Sequence, residues 1–236
     1  MKTFQFKRFS IINDCSAMKV NTDGVLLGAS AFLPKTDDCI NVLDVGTGTG
    51  TIALMLAQRL EPIKNYHITG VDIDEASARE AALNFKTSPW SDKMTSIHSD
   101  FTQCDGLFDL IVSNPPYFKN SLKNPDTRKA GARHSDSLSF KSIIDFSDLH
   151  LSASGLLSLI LPIENETEVI RYGNSKNIHP FNLIRIHTVY RKDPSRIIIE
   201  FSRKKRSLVE TSLTIKENNT YSSEYRNLVK DFYTWA

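Results

Sequence analysis

The sequence predicts an α/β fold in which a seven-stranded mixed sheet carries helices on both faces and closes with a C-terminal antiparallel hairpin. Between residues 40 and 172, short apolar runs alternate with helical patterns, which is typical of a mainly parallel sheet covered on both faces. Beyond residue 180, two apolar runs flank a turn-rich stretch, which is typical of a hairpin. A Rossmann-like, doubly wound sheet that ends in a hairpin explains both patterns better than an all-parallel dinucleotide fold.

An N-terminal extension, residues 1–36, precedes the alternating part of the chain. Apolar residues predict a short strand there: Phe4, Phe6 and Ile11. Thr22 or Asp23 is expected to cap a helix that ends at Pro34. We expect the extension and the rest of the chain to form one domain, residues 1–236.

The alternating part supplies most of the predicted sheet. The predicted strands are 40–45, 67–72, 94–98, 108–113 and 156–161, and the predicted helices are 51–60, 75–85, 138–151 and 164–172. The predicted hairpin pairs 183–189 with 196–201 across a turn. A terminal helix, 225–235, is expected to pack on the sheet through Leu228, Val229, Phe232 and Trp235.

Composition favours an ordinary globular protein. Of the 236 residues, 40% are hydrophobic and 24% are charged, which excludes disorder for most of the chain. The net charge is only +2, so a nucleic-acid partner would need a local basic patch. The three cysteines are far apart in the sequence, which argues against a disulfide scaffold or a zinc site. With no signal peptide and no membrane-length apolar run, we expect a cytoplasmic protein without metal or membrane contacts, taken to be a monomer.

A glycine-rich loop follows the first of the alternating strands, in residues 42–50. Glycine permits left-handed backbone and close approach of a ligand, and ligands of open α/β sheets bind beyond the carboxyl ends of strands. The candidate cofactor contacts are Gly46, Thr47, Gly48 and Gly50. A dinucleotide fingerprint would require glycine or alanine at Thr51, and Asp44 would lie close to its pyrophosphate. An acid at that position suits a cofactor with a cationic aminoacyl group.

Acidic residues also follow the next two predicted strands. Asp72, with Ile73 beside it, is placed where an acid can accept hydrogen bonds from both hydroxyls of a ribose. Asp100 is placed to accept a hydrogen bond from an adenine amino group, with Phe101 beside the ring. One strand-end aspartate is more often a helix cap or a solvated turn. Three acids at successive strand ends after a single glycine loop favour S-adenosylmethionine as the cofactor.

The fourth alternating strand is followed by Ser113-Asn114-Pro115-Pro116-Tyr117. A Pro-Pro turn at a strand end is common, but this one lies where a transferable methyl group would point, so Asn114 is also a candidate cofactor contact. The Asn114 side-chain oxygen and the Pro115 carbonyl can each accept one N–H of a planar amino group, which bends its nitrogen toward tetrahedral geometry and orients the lone pair. Pro115 and Pro116 stiffen the loop, and Tyr117 offers a ring on which a flipped base can stack. These four residues are the predicted catalytic group, and no general base or metal is required.

With both motifs in place, the chain resembles the N6-adenine methyltransferases of the class I, S-adenosylmethionine-dependent superfamily. It is most similar to the bacterial tRNA1(Val) adenine-37 N6-methyltransferases. The likeness covers nearly the whole chain and is most specific in residues 18–28, the glycine loop from Asp44, 113–117 and 221–225. It implies a Rossmann-like class I methyltransferase fold and, as the target, the adenine next to the anticodon of a valine tRNA.

The resemblance also implies a role for the N-terminal extension. In the family, residues 19–24 lie over the methionine end of the cofactor, so we expect the extension to pack on the cofactor site. Thr22 and Asp23 therefore become cofactor candidates, although a helix cap remains an equal interpretation. The family often has a glutamate-like acid at the position of Asp72, and the shorter acid is still expected to reach the ribose.

Other target nitrogens fit the same motif. Glutamine methylation in a release factor poses the same geometric problem, but those enzymes usually carry a helical N-terminal domain, for which there is no room before Asp44. RNA guanine-N2 methylation remains open, and DNA adenine methylation is disfavoured because no separate target-recognition segment is apparent. A module that binds cofactor or RNA without catalysis is the non-enzyme hypothesis, and the intact Asn114 and Tyr117 argue against it.

RNA contacts are predicted in the segment directly after Tyr117. Its basic residues are Lys119, Lys123, Arg128, Lys129 and Arg133. A basic loop beside an aromatic catalytic motif suits phosphate contacts around an extruded base, whereas the alternative is a solvated loop. The run Arg203–Arg206 could contact tRNA equally well or simply form a solvated face.

Overall fold

The computed structural model describes residues 2–16, 18–35, 39–63, 65–116 and 138–236. Their strands are β1 (Thr3–Gln5), β2 (Ser10–Ile12), β3 (Ile40–Val45), β4 (Tyr66–Asp72), β5 (Met94–His98), β6 (Phe108–Ser113), β7 (Leu151–Pro162), β8 (His179–Val189), β9 (Arg196–Ser202), β10 (Val209–Glu217) and β11 (Thr220–Tyr221). Their α-helices are α1 (Thr22–Ser30), α2 (Thr51–Leu60), α3 (Glu75–Lys86), α4 (Phe140–His150), α5 (Glu166–Ser175) and α6 (Ser223–Val229).

The main sheet has the order β11-β10-β8-β9-β7-β6-β3-β4-β5. Strands β3 to β7 are mutually parallel where they pair, and β9 runs antiparallel to both β7 and β8. The predicted mixed sheet with its C-terminal hairpin is therefore confirmed. The chain crosses to the opposite side of β3 after β5, so the carboxyl ends of β3 and β6 meet at a topological switch point, where open α/β sheets bind ligands.

The predicted count of seven strands is too low for this sheet. β10 adds to β8 in parallel, and β11 pairs with β10. Most side chains of β10 are exposed, and Ile215 is its one buried residue. A strand near the edge of the sheet that buries so little apolar surface lacks the hydrophobic pattern from which strands are predicted.

Apolar residues of the central strands alternate between two cores. Ile40 and Val42 of β3 pack with α1, α2 and α6 on one face, while Leu43 and Val45 pack with α4 and α5 on the other. Successive side chains of a strand point to opposite faces, so one six-residue strand contributes to both layers. Helices cover both faces, as predicted.

The N-terminal extension is held on the body of the protein by buried polar side chains of α3. The two carboxylate oxygens of Glu80 accept hydrogen bonds from the backbone N–H groups of Asp14, Cys15 and Ser16, at 2.8, 2.6 and 3.0 Å. Asn84 bonds both backbone groups of Ile12, at 2.7 and 3.0 Å. This anchoring brings the segment before α1 to the glycine loop.

The cap of α1 is neither Thr22 nor Asp23, so that prediction is wrong. The N-cap is Asn21, which has extended backbone geometry and whose Oδ1 accepts a hydrogen bond from Gly24 N at 2.8 Å. Asparagine is among the residues most strongly preferred at this position. The helix also ends at Ser30, four residues before Pro34.

The C-terminal helix is shorter than predicted. It spans Ser223–Val229, and the chain then turns so that Phe232 is buried. Trp235 was predicted to pack on the sheet, but it is 41% exposed and stacks on Tyr221 instead. Among the residues described, no helix is long and apolar enough to cross a membrane.

Candidate functional site

The glycine loop after β3 is shaped by three left-handed residues. Gly46, Gly48 and Gly50 have φ of +71°, +55° and +80°, a conformation that side chains disfavour. A Cβ on Gly50 would lie 2.5 Å from the Phe85 ring. Gly50 therefore packs against α3 and caps the start of α2. Unlike Gly46 and Gly48, it lines neither of the two clefts described below.

Asp44 lies beneath this loop and is fully buried. Its Oδ2 accepts a hydrogen bond from the Thr47 hydroxyl at 2.7 Å, while Oδ1 has no hydrogen-bond partner among the described residues. Burial raises the pKa of the Asp44 carboxyl to about 7, the Thr47 hydroxyl and the Ala53 backbone partly offset this, and the nearby Asp72 charge adds to it. Asp44 thus holds the loop through Thr47, and its carboxyl, buried beneath the loop, titrates near neutral pH.

Asp72 joins the end of β4 to the glycine loop. Its Oδ2 accepts from Gly48 N at 2.9 Å, and its Oδ1 accepts from Asp74 N at 2.9 Å. Burial raises the pKa of this carboxyl, and those two N–H groups partly offset the effect. Because a carboxylate offers about four lone-pair positions, each oxygen can still accept from a ligand hydroxyl.

A first cleft, which we call the acidic pocket, opens between the ends of β3, β4 and β5. Its lining residues are Val45, Gly46, Val71, Asp72, Ile73, Ser99, Asp100, Phe101 and Leu138. The predicted contacts Asp72, Ile73, Asp100 and Phe101 are therefore brought together. Asp100 Oδ1 also accepts from Thr102 N at 2.9 Å, and the Phe101 ring packs edge-on against Phe146, so both side chains are held in place.

A second cleft, the glycine pocket, lies on the other side of Gly46. Its lining residues are Met18, Lys19, Asn21, Gly24, Gly46, Thr47, Gly48, Thr49, Thr51, Ile52 and Asn114. Gly46 lines both clefts, and an added Cβ there would lie 2.9 Å from Leu138. Because the two clefts share Gly46, we treat them together as the groove along the glycine loop.

Asn114 stands where β6 ends at the glycine pocket. Ser113 is fixed by a hydrogen bond from its hydroxyl to Val45 O at 2.7 Å. Asn114 is 7% exposed, and its Nδ2 donates to Met18 Sδ at 3.5 Å. Pro115 is buried and Pro116 is exposed. The predicted catalytic asparagine is therefore next to the groove, whereas Tyr117 and the basic residues Lys119, Lys123, Arg128, Lys129 and Arg133 lie outside the described residues.

Thr22 and Asp23 line a separate cavity with the C-terminal strands, and Asp23 Oδ2 lies 3.0 Å from Arg196 Nε. The resemblance implied that residues 19–24 cover the cofactor and singled out Thr22 and Asp23, whereas the residues of this segment that line the glycine pocket are Met18, Lys19, Asn21 and Gly24. Leu138, which lines the acidic pocket, was not predicted as a site residue. The N-cap preference of asparagine was the available signal for Asn21.

The run Arg203–Arg206 begins where β9 ends. Ser202, the last residue of β9, pairs with Leu156 of β7, which in turn pairs with Leu110 near the start of β6. Asn114 follows the other end of β6, so the run lies at the opposite edge of the sheet from Asn114. Arg203 is bound to the Asp148 side chain and to Leu151 O. No group of three metal-ligating side chains is found in the described part of the chain.

The groove suits an elongated ligand with two different ends. The acidic pocket offers a carboxylate for a diol and an aromatic wall for a flat base, while the glycine pocket offers backbone and hydroxyl groups. The carboxyl of Asp44, buried beneath the loop, favours positive charge on the ligand when it is ionised. S-adenosylmethionine has this combination of groups.

The comparisons with known proteins also identify a methyltransferase. A family model for a methyltransferase domain matches residues 42–139. The chain is 37% identical to the tRNA1(Val) (adenine(37)-N6)-methyltransferase of Flavobacterium psychrophilum, covering 98% of each chain. It is 40% identical to the enzyme of that name in Parabacteroides distasonis, covering 98% of this chain and 97% of the relative.

Solved structures share the fold at low identity. A protein of Agrobacterium tumefaciens described as a predicted O-methyltransferase superposes with a TM-score of 0.66 at 19% identity, covering 89% of this chain and 96% of that one. A Listeria monocytogenes protein assigned to the class I S-adenosylmethionine-dependent methyltransferases gives a TM-score of 0.59 at 18% identity, covering 86% and 67%. By fold, groove and identity over nearly its whole length, the chain belongs to the tRNA1(Val) (adenine(37)-N6)-methyltransferase family and is an S-adenosylmethionine-dependent enzyme.

Proposed function

We propose that this enzyme methylates the N6 amino group of adenine 37 in tRNA1(Val), with S-adenosylmethionine as the methyl donor. The observation that carries the proposal is the position of Asn114, nearly buried at the end of β6 and lining the groove beside the glycine loop. The names of the relatives support tRNA and this position as the target.

The chemistry assigned to the chain is orientation of the target nitrogen. The Asn114 side-chain oxygen and the Pro115 carbonyl accept the two N–H bonds of the adenine amino group. These acceptors reduce conjugation of the nitrogen lone pair with the ring and aim it at the groove. When bound, the cofactor supplies an electrophilic methyl group on a cationic sulfur, and the amino proton becomes acidic once the nitrogen is alkylated.

The same proposal assigns the cofactor contacts. Asp72 binds the ribose hydroxyls, Asp100 accepts from the adenine amino group, and Ile73 and Phe101 contact the ring, since all four line the acidic pocket. Gly46, Thr47, Gly48 and Asn114 line the glycine pocket at the methionine end. Asp44 acts from beneath the loop through its charge and its bond to Thr47, and Gly50 acts by shaping the loop.

The remaining assignments concern the partner. Lys119, Lys123, Arg128, Lys129 and Arg133 are proposed to contact RNA phosphates, and Tyr117 to stack on the target base. We propose that the enzyme acts as a monomer in the cytoplasm, where its tRNA is found.

The test is mass spectrometry of nucleosides from purified tRNA1(Val), before and after deletion of the gene. We expect N6-methyladenosine to disappear on deletion, to return with the wild-type gene and not to return with Asn114→Ala. Loss of N2-methylguanosine instead, or unchanged tRNA with an unmethylated glutamine in a release factor, would replace the proposal with one of the alternative targets.

A further inference from the structure

We propose that a cavity between α1 and the C-terminal strands binds a second, unpaired nucleotide of the RNA strand that carries the target adenine. This hairpin cavity is lined by Thr22, Asp23, Ile186, Thr188, Ser195, Arg196, Ile215, Lys216 and Tyr221. The proposal rests on RNA being the substrate, and it gives a role to Tyr221, which the chemistry at Asn114 does not use.

The hairpin cavity lies at the same edge of the sheet as Asn114. Ser113 of β6 pairs with Leu159 of β7, which pairs with Ile199 of β9, which pairs with Leu183 of β8. These four residues form one row across the sheet. Arg196 and Ile186 lie three residues beyond that row in the carboxyl direction of β6, or about 10 Å at roughly 3.3 Å per residue. With strands about 4.8 Å apart, β8 is roughly 14 Å to the side of β6. A nucleotide close to the target adenine along the RNA chain can therefore reach the hairpin cavity.

Helix α1 connects the two sites. Its cap Asn21 lines the glycine pocket, while the next two residues, Thr22 and Asp23, line the hairpin cavity. An RNA strand that enters at Asn114 and continues across the start of α1 would therefore reach the hairpin cavity.

The cavity has the composition of a nucleotide site. Ile186 and Ile215 are buried and form an apolar floor, on which a base can lie. Tyr221 supplies an aromatic wall, and Lys216 Nζ is 5.8 Å from the centre of its ring. Stacking of bases on aromatic side chains beside cations is how proteins hold single-stranded nucleic acid.

Polar groups around the rim can orient the nucleotide. The hydroxyls of Thr188 and Ser195 lie 2.9 Å apart, and the Arg196 guanidinium is paired with Asp23. The charged lining residues are Asp23, Arg196 and Lys216. Their net charge is +1, which favours binding of a phosphate. Backbone bonds from Ser195 N to Ile186 O and from Tyr190 N to Lys216 O, at 2.9 and 2.8 Å, fix the rim.

The aromatic wall is rigid and yet accessible. Tyr221 stacks on Trp235 with ring centres 4.3 Å apart, and Trp235 stacks on Tyr233 at 4.8 Å. Tyr221 and Trp235 remain 38% and 41% exposed. Tyr233 at the inner end of the stack belongs to the core, and the two exposed rings present a fixed aromatic surface next to Lys216 and Arg226.

The experiment compares wild type with Tyr221→Ala and Lys216→Ala. Binding of a fluorescent tRNA1(Val) anticodon stem-loop is measured by anisotropy, and methylation of the same RNA is measured under steady-state conditions. Lys86→Ala, an exposed position at the C-terminal end of α3, is the matched control. For Tyr221→Ala we expect Kd and KM for RNA to rise by about tenfold, with kcat and the Kd of S-adenosylmethionine unchanged.

Lys216→Ala, an exposed substitution that leaves the aromatic stack intact, is expected to reduce the slope of log K against log salt by about 0.7. Wild-type RNA affinity and salt slope in both variants would overturn the cavity assignment. If the wild type binds the stem-loop without methylating it, the proposed function fails, while the anisotropy comparison still decides the cavity.

Discussion

The side-chain nitrogen of Asn114 donates a hydrogen bond to Met18 Sδ across 3.5 Å, which connects the end of β6 to the N-terminal extension. The sulfur is a weak acceptor, so this bond orients the amide without binding it strongly. Met18 and Asn114 line the same pocket. The extension therefore forms part of the proposed transfer site and helps to position its central residue.

Asn114→Ala tests the proposed role of the asparagine. It removes one of the two N–H acceptors, and loss of one oriented group of this kind typically lowers kcat by about 10²- to 10³-fold. We expect the Kd of S-adenosylmethionine, measured by calorimetry, to stay within about threefold, since most of the groove is unchanged. Near-normal turnover would remove Asn114 from the transfer step.

Asp72→Ala tests the acidic pocket. The substitution removes the proposed ribose acceptor and leaves the N–H groups of Gly48 and Asp74 without their acceptor. We expect the Kd of S-adenosylmethionine to rise at least about tenfold, and stability to fall by about 1–3 kcal/mol. The exposed Asp92→Ala is the control for loss of a carboxylate. Unchanged cofactor affinity in Asp72→Ala would place the ribose elsewhere.

Asp44→Asn tests the buried carboxyl. Because burial raises the folded-state pKa of Asp44 from 3.8 to about 7, the folded protein holds a proton between these pH values that the unfolded chain releases. The contribution of Asp44 to folding stability therefore falls as pH rises from about 4 to about 7 and is constant above that.

Asparagine does not titrate, so the variant should lack this component. Urea unfolding at about pH 5 and about pH 8 measures it. We also expect wild-type affinity for the cationic cofactor to increase as pH passes through 7, and the affinity of the variant to change less. Identical pH profiles for the two proteins would show that Asp44 does not titrate in this range.

Glu80→Ala tests the anchoring of the N-terminal extension. Three backbone N–H groups lose their acceptor, which we expect to cost about 2–4 kcal/mol and to lower Tm by roughly 5–10 °C. Cofactor affinity should also weaken, because the anchored segment leads into the glycine pocket. Glu75→Ala on the same helix removes only an exposed pair with Arg79 and should have little effect. Equal melting temperatures for the two variants would contradict the anchor.

The strands that carry the groove were predictable because they are buried and apolar. β3 and β4 form short hydrophobic runs that end in glycine or acid, β6 is followed by Asn114, and these residues mark the carboxyl edge. β10 was not predictable, because this largely exposed strand buries only Ile215 and so has no apolar periodicity.

The N-terminal part of the groove was only partly predictable. Met18, Lys19 and Asn21 reach the glycine pocket because Glu80 and Asn84 hold the preceding segment, and contacts between such distant positions leave no local pattern. Thr22 and Asp23 belong to the right segment, but the turn set by the Asn21 cap directs them toward Arg196.

The most direct measurement is a crystal structure with S-adenosylhomocysteine, the product that retains the sulfur. We predict that its ribose hydroxyls lie within hydrogen-bond distance of Asp72 and that its sulfur lies in the glycine pocket, facing Asn114. A ligand with its ribose at the glycine pocket, or a sulfur directed away from the end of β6, would contradict methyl transfer at Asn114.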